Sequence, residues 1–211
     1  MHNTHFLADN IIVLDFETTG LSPQMGDRAI EIGAVRIQNG VITERFQELM
    51  NPGRRVDSFI EEYTGITNSM LKDAPPCSEV MERFADFMGD SNLLAHNASF
   101  DKRFLDAELD RILKSYVGTF ACSLLTARRV FQDAPNHKLS TLIDYAHIHS
   151  EGTFHRALFD SEMTAKLWIV MLDKIKAEYS LDSIPFQLIQ KLEKTPKTSV
   201  HKVLSNWKNR Q

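Results

Sequence analysis

Cysteine is scarce in this chain: Cys77 and Cys122 are the only two in 211 residues, and they stand far apart. That excludes a disulfide framework and a thiolate zinc cluster, so both are read as reduced and structural. No run of about 18 consecutive apolar residues occurs, and the N-terminal stretch lacks the charged, apolar and small-residue order of a secretory leader. The expectation is a protein with no membrane partner that works in the cytoplasm. An excess of positive charge is missing too. The formal net charge of −4 argues against a broad basic surface that grips nucleic acid in the manner of a repressor. No internal repeat or low-complexity block is visible.

What is there suits one catalytic domain. Hydrophobic residues make up 43% and charged residues 25% of the chain, enough for one substantial core with a small appendage. Charge is uneven: residues 191–211 hold six Lys or Arg and one acid, leaving 18 bases against 27 acids in residues 1–190. An acidic body that handles phosphates needs cations to reverse its local field.

The apolar run Ile11 to Phe16 predicts a buried strand, with turn signals from Thr18 to Pro23 after it. Ala29 to Ile37 and Val41 to Met50 predict two more strands around Asn39-Gly40, a strong hairpin signal. A polar stretch follows Pro52-Gly53, with a Thr-Gly-Ile-Thr run at 64–67. Ser78 is placed as the cap of a helix carrying Val80, Met81, Phe84, Phe87 and Met88. Strand and helix then alternate: Leu93 to Ala95, Phe100 to Leu113, Thr119 to Cys122, Leu124 to Phe131, and helices over Leu139 to Ala146 and Ala157 to Ile175. The predicted fold is α/β, a mixed five-stranded sheet flanked by helices in the ribonuclease H-like layout, over residues 1–180. Residues 181–211 read as a basic tether. Within it, Val200, Val203, Leu204 and Trp207 after Ser199 carry the spacing of a short amphipathic helix, read as folding back on its own domain ahead of docking a partner.

Asp15 and Glu17 stand two apart at a strand end, which puts both on one face. Hard oxygen ligands there suit Mg²⁺ or Mn²⁺, although acids at strand ends commonly just meet solvent. His96 to Asp101 ends one strand and opens a helix; Asn97 or Ser99 as an N-cap and Asp101 as a dipole-favoured acid would explain the block without chemistry. His155 and Asp160 lie five residues apart, about 140° around a helix. Both face one centre only if His155 sits on the loop before the helix, which Gly152-Thr153 makes feasible.

Taken together, Asp15-Phe16-Glu17-Thr18-Thr19-Gly20-Leu21, the His96 to Asp101 block continuing through Phe104-Leu105, and His155-x-Ala157-x-x-Asp160 resemble the three motifs of the DEDD exonuclease superfamily. The histidine five residues before the last Asp is the DEDDh (DnaQ-like) form. The likeness runs over about residues 9–175, and the Thr64 to Thr67 run resembles the proofreading epsilon subunit of bacterial DNA polymerase III and its relatives. Two positions depart from the usual pattern, Cys122-Ser123 and Ser161.

The resemblance implies a 3′→5′ exonuclease in which Asp15, Glu17, Asp101 and Asp160 hold two Mg²⁺ or Mn²⁺ ions and His155 is the general base. It makes Thr18, Thr19, Leu21, Asn97 and Phe100 the substrate-binding candidates, with Phe100 equally readable as core. The implied partner is the 3′ end of a single-stranded nucleic acid, DNA ahead of RNA, with a DNA polymerase as a second partner through the basic tail. A ribonuclease T-like or oligoribonuclease-like activity and a non-catalytic polymerase accessory are the competing readings. His147 and His149 are read as surface residues. A faint likeness to a sliding-clamp peptide over Gln187 to Leu192 is read as chance.

Overall fold

Alternation along the first strand sorts the whole molecule. The computed structural model describes residues 6–150, 152 and 155–208. In β1 (Ile11–Thr18) the side chains of Ile11 and Val13 enter one apolar core while Ile12, Leu14 and Phe16 enter another, as a period of two requires. β1 pairs antiparallel with β2 (Ala29–Gln38), which pairs antiparallel with β3 (Val41–Leu49). Asn39 and Gly40 both take positive φ (52° and 76°) in the two-residue turn between them, the conformation a tight hairpin demands. On its other side β1 runs parallel to β4 (Asn92–Ala95), and β4 runs parallel to β5 (Phe120–Cys122). The sheet order β3-β2-β1-β4-β5 is the mixed five-stranded arrangement expected.

Helices α3 (Cys77–Met88) and α4 (Ser99–Arg111) cover one face. α5 (Ser123–Val130), α6 (Leu139–Tyr145) and the 23-residue α7 (Ala157–Tyr179) cover the other. Trp168 of α7 is fully buried and donates its indole N–H to the Ala8 carbonyl at 2.7 Å. The start of α7 lies almost on the backbone of β2. A Cβ added at Gly33 would stand 2.0 Å from the Leu158 nitrogen, so no side chain fits between helix and strand. Ser161, one of the two unusual positions, donates its hydroxyl to the Gly33 carbonyl at 2.8 Å in this tight crossing.

Three expectations need correction. The helix over 77–88 begins at Cys77 with Pro76 at the cap position, so Ser78 lies inside its first turn. The polar stretch after Pro52-Gly53 holds two short helices, α1 (Ser58–Thr64) and α2 (Asn68–Lys72). They sit over a small core of Ile30, Val56, Ile66 and Leu71, too sparse in sequence to announce itself.

Where a loose tether was expected after residue 180, α8 (Phe186–Glu193) packs on the domain, and the closing amphipathic helix, α9 (Val200–Lys208), folds back on it as expected. Phe186, Leu188, Ile189, Leu192, Val200 and Leu204 are buried in the same core as α7. Leu188, Ile189 and Leu192 therefore turn inward, and the clamp-like stretch has no free apolar face. α8 also covers the open edge of β5: Gln190 donates to the Phe120 carbonyl, and the Glu193 carboxylate accepts from the Cys122 N–H. Pairing an edge strand's backbone in this way removes a template for aggregation. Among the described residues no helix is long and apolar enough to cross a membrane.

Candidate active site

The row that starts with Ile11 and Val13 ends with Asp15 and Glu17, so the strand's periodicity carries both carboxylates out of the core towards α7. A register shift between Glu17 and Thr18 bends the strand end at this point, as bulges beside active sites do. Asp160, in the first turn of α7, completes a group. One carboxylate oxygen from each of Asp15, Glu17 and Asp160 lies within 4.8 Å of the others.

Asp101 comes from the opposite face. It is buried in the first turn of α4, and its Oδ1 accepts the Phe16 N–H at 3.1 Å, tying α4 to β1 beside Asp15. Ala98 occupies the cap position of α4, and neither Asn97 nor Ser99 caps it. Asp101 is thus held by the strand backbone rather than by solvent at a helix end.

Electrostatics mark the site. Burial and then the charges of Asp101, Asp160 and Glu17 push the Asp15 carboxyl well up. Burial, followed by Asp160, Glu31 and Asp101, raises Glu17 to about 8. Burial raises Asp101 to about 7 against the opposing hydrogen bond from Phe16, and burial raises Asp160. Carboxylates that repel each other out of water bind either protons or cations.

The loop before α7 is locked at both ends. His155 takes φ +69°, and its backbone N–H and that of Arg156 donate to the Asp160 carboxylate at 2.7 and 3.2 Å. The Arg156 guanidinium donates twice to Glu31 of β2, at 3.1 and 2.7 Å, and the Ala157 N–H donates to the same carboxylate at 3.1 Å. His155 lies before the helix, as the geometry required. Of the Gly152-Thr153 pair proposed to shape this loop, Thr153 lies outside the described residues.

A cavity of about 700 Å³ opens over these groups. Asp15, Glu17, Asp101, His155 and Asp160 line it, together with Thr18, Leu21, Asn97 and Phe100. Thr19 does not. Its hydroxyl bonds Asp27 and accepts the Arg28 N–H, and its own N–H donates to the Arg28 carbonyl, so this residue braces the turn behind Leu21. Phe100 lines the cavity and also packs against Phe104 of the core, rings 5.0 Å apart.

Three residues absent from the sequence reading belong here. Phe59 and Tyr63 of α1 stack at 5.8 Å on the cavity wall, and the Tyr63 ring meets the His155 ring at 4.0 Å. The third is Glu31, fully buried behind the acids. The spacing of Phe59 and Tyr63, four apart on one helical face, was the available signal. His96 lines the cavity as a neutral structural group: burial lowers it to about 4, its Nε2 donates to the His137 carbonyl at 3.0 Å, and its Nδ1 accepts the Ser123 hydroxyl at 2.8 Å. Ser123 at the second unusual position therefore serves His96. His147 and His149 are exposed, and neither joins a metal-ligand group among the described residues.

The exonuclease family model matches residues 12–168. A PolC-type DNA polymerase III of Caldanaerobacter subterraneus subsp. tengcongensis is 39% identical over 170 residues, which cover 81% of this chain and 12% of that protein. The 3′-5′ exonuclease DinG of Bacillus subtilis is 33% identical over 187 residues, 87% of this chain and 19% of its own length. The chain thus spans less than a fifth of these curated relatives. Exonuclease X, solved in complex with 5′ overhanging duplex DNA, superposes with a TM-score of 0.67 at 23% identity, covering 87% of this chain and 99% of that one. At that identity the likeness shows the shared ribonuclease H-like exonuclease fold.

Proposed function

The chain belongs to the exonuclease family, a family of nucleases that hydrolyse phosphodiester bonds, and from that premise we propose that it removes nucleotides one at a time from the 3′ end of single-stranded DNA. The observation that carries this reading is the convergence of Asp15, Glu17 and Asp160 within 4.8 Å, under a cavity walled by Leu21, Phe59, Tyr63 and Phe100.

The donor set fits hard divalent cations, because it offers carboxylate oxygens alone and its members drive one another's affinity for positive charge upward. Asp15, Glu17 and Asp160 would hold two Mg²⁺ or Mn²⁺ ions, with Asp101 alongside. When bound, such ions supply the charge that offsets the negative phosphorane and the acidity that readies water for attack.

The chain's own groups supply the rest. His155 at the cavity edge accepts the proton of the attacking water. The water oxygen bonds to phosphorus, the bond from phosphorus to the 3′ oxygen of the preceding nucleotide breaks, and a nucleoside 5′-monophosphate leaves. The Thr18 hydroxyl, which donates to the Gly20 carbonyl at 2.6 Å, keeps lone pairs for a terminal 3′ hydroxyl, and Asn97 on the same cavity lining meets a polar edge. Leu21 and the aromatic rings hold bases by their faces, which tolerates any sequence.

DNA ahead of RNA follows the relatives, one a DNA polymerase by name. The work fits proofreading or repair beside a polymerase, in the cytoplasm. A polymerase contact through residues 181–208 would use their polar, basic face, since the apolar one is buried.

Matched DNA and RNA oligonucleotides, each with a free or a 3′-blocked end, test the proposal. The expected result is Mg²⁺-dependent release of 5′-monophosphates from free-ended DNA, with Asp160→Ala inactive. Equal digestion of blocked strands, or unchanged hydrolysis by Asp160→Ala, would overturn it. Faster digestion of RNA would move the chain to the ribonuclease reading.

A further inference from the structure

We propose that Tyr63 is a positioning residue for the general base: its ring sets where the His155 imidazole stands on the cavity wall. The inference rests on the reading of His155 as that base.

The backbone of His155 is fixed, at φ +69°, by the Asp160 carboxylate and through Arg156 by Glu31. That leaves two side-chain torsions free, and rotamer freedom moves an imidazole by several ångströms. Among the described residues no hydrogen bond restrains the imidazole. What meets it is the Tyr63 ring, with centroids 4.0 Å apart and planes tilted by 37°. Tyr63 is backed in turn by Phe59, nearly parallel at 13°. The three rings form a row along the cavity wall that ends at the proton acceptor.

Tyr63 has a firm base. Its neighbour Thr64 is buried, donates its hydroxyl to the Ile60 carbonyl at 2.8 Å and accepts the Ile66 N–H at 3.1 Å. Gly65, at φ +71°, ends α1 with its N–H on the Glu61 carbonyl, and Asn68 ties Glu61 to the Val56 carbonyl. The Thr64 to Thr67 run thus anchors the helix that presents Tyr63. Tyr63 is 51% and Phe59 68% exposed, so neither contributes much to a core. An aromatic pair of ordinary strength favours one arrangement by about two- to twelvefold, which is the bias a single imidazole rotamer needs.

Kinetics on a single-stranded oligothymidylate with a free 3′ end provide the test, in wild-type and His155→Ala backgrounds. Tyr63→Ala is expected to lower kcat about three- to tenfold, Tyr63→Phe to stay within twofold of wild type, and Tyr63→Ala to change kcat no further when His155 is already alanine. An equal kcat loss in both backgrounds, a loss confined to KM, or a Phe variant as impaired as Ala would each overturn the proposal; the second would make Tyr63 a base platform only. The Mg²⁺-induced rise in Tm must be kept in the Tyr63 variants, which a folding defect would abolish. If His155→Ala alone keeps full activity, the assignment of the base fails first, and that outcome is seen without any Tyr63 variant.

Discussion

Arg156 and Glu31 meet across 125 residues of chain, and through them the loop that carries His155 is fastened to a central strand. Glu31 is fully buried while Arg156 is 37% exposed. Replacing Arg156 with alanine takes the counter-charge from a buried carboxylate that stands near other acids and keeps hydrogen bonds only from Gln47 and the Ala157 N–H. A loss of ~2 to 3 kcal/mol is expected, below the value for a wholly buried pair because the guanidinium is partly solvated. Urea unfolding checks it, and Glu31→Gln in the same background should restore part of the loss; no restoration would mean that charge burial is not the cause.

Metal should matter more as pH rises. In the folded chain without metal, Glu17 titrates near 8 and Asp101 near 7, against ordinary values of 4.5 and 3.8. Between about pH 4 and pH 8 the folded state therefore holds more protons than the unfolded one. The stability these groups contribute is complete at low pH and falls as pH climbs to 8. Calorimetry should show Tm of the EDTA-treated protein falling from pH 5 to pH 8. Mg²⁺ at ~100 times its Kd should add about 2.7 kcal/mol, roughly 5 to 10 °C, at pH 8 and clearly less at pH 5. Equal shifts at the two pH values would contradict carboxylate ligation.

Loss of the base and loss of a ligand should separate. His155→Ala is expected to lower kcat by about 10² to 10⁴ while keeping the Mg²⁺-induced rise in Tm. Asp160→Ala should lose both, with activity down at least about a thousandfold, near 4 kcal/mol of barrier. Identical metal responses in the two variants would contradict the division of roles.

Residues 181–208 should be indispensable to folding. Eight apolar side chains from this segment, Leu181 and Ile184 among them, lie buried in the main core. At about 1.5 to 3 kcal/mol each, removing them takes away at least about 12 kcal/mol, on the scale of a domain's whole stability. A chain ending at Ser180 should show no cooperative transition by circular dichroism; a sharp melt within a few degrees of the full chain would show the segment to be an accessory.

Most of the fold was legible because its signals are local. A period of two put Asp15 and Glu17 on one side of β1, and the Asn39-Gly40 turn set the register of β2 and β3. The tail misled because Pro185, Pro196 and the lysines read as a linker, while the apolar face of α8 makes sense only against α7. Thr19 was given to the substrate by the family resemblance alone; in the fold its hydroxyl bonds Asp27 and the Arg28 N–H. Glu31 hid inside an apolar strand, and its partner Arg156 is distant. Tyr63 was hidden for a similar reason, as an exposed aromatic in a polar stretch whose meaning comes from a loop 92 positions later that no local pattern brings beside it.

Gly33 gives the arrangement an unexpected weak point. Asp160 sits in the first turn of a single helix and His155 on the loop that leads into it, and the start of that helix rests on bare main chain. One added methyl group there, in a strand whose side chains never see a nucleotide, would lift both instruments of hydrolysis at once. The placing of the whole acidic cluster is thus hostage to the thickness of one residue.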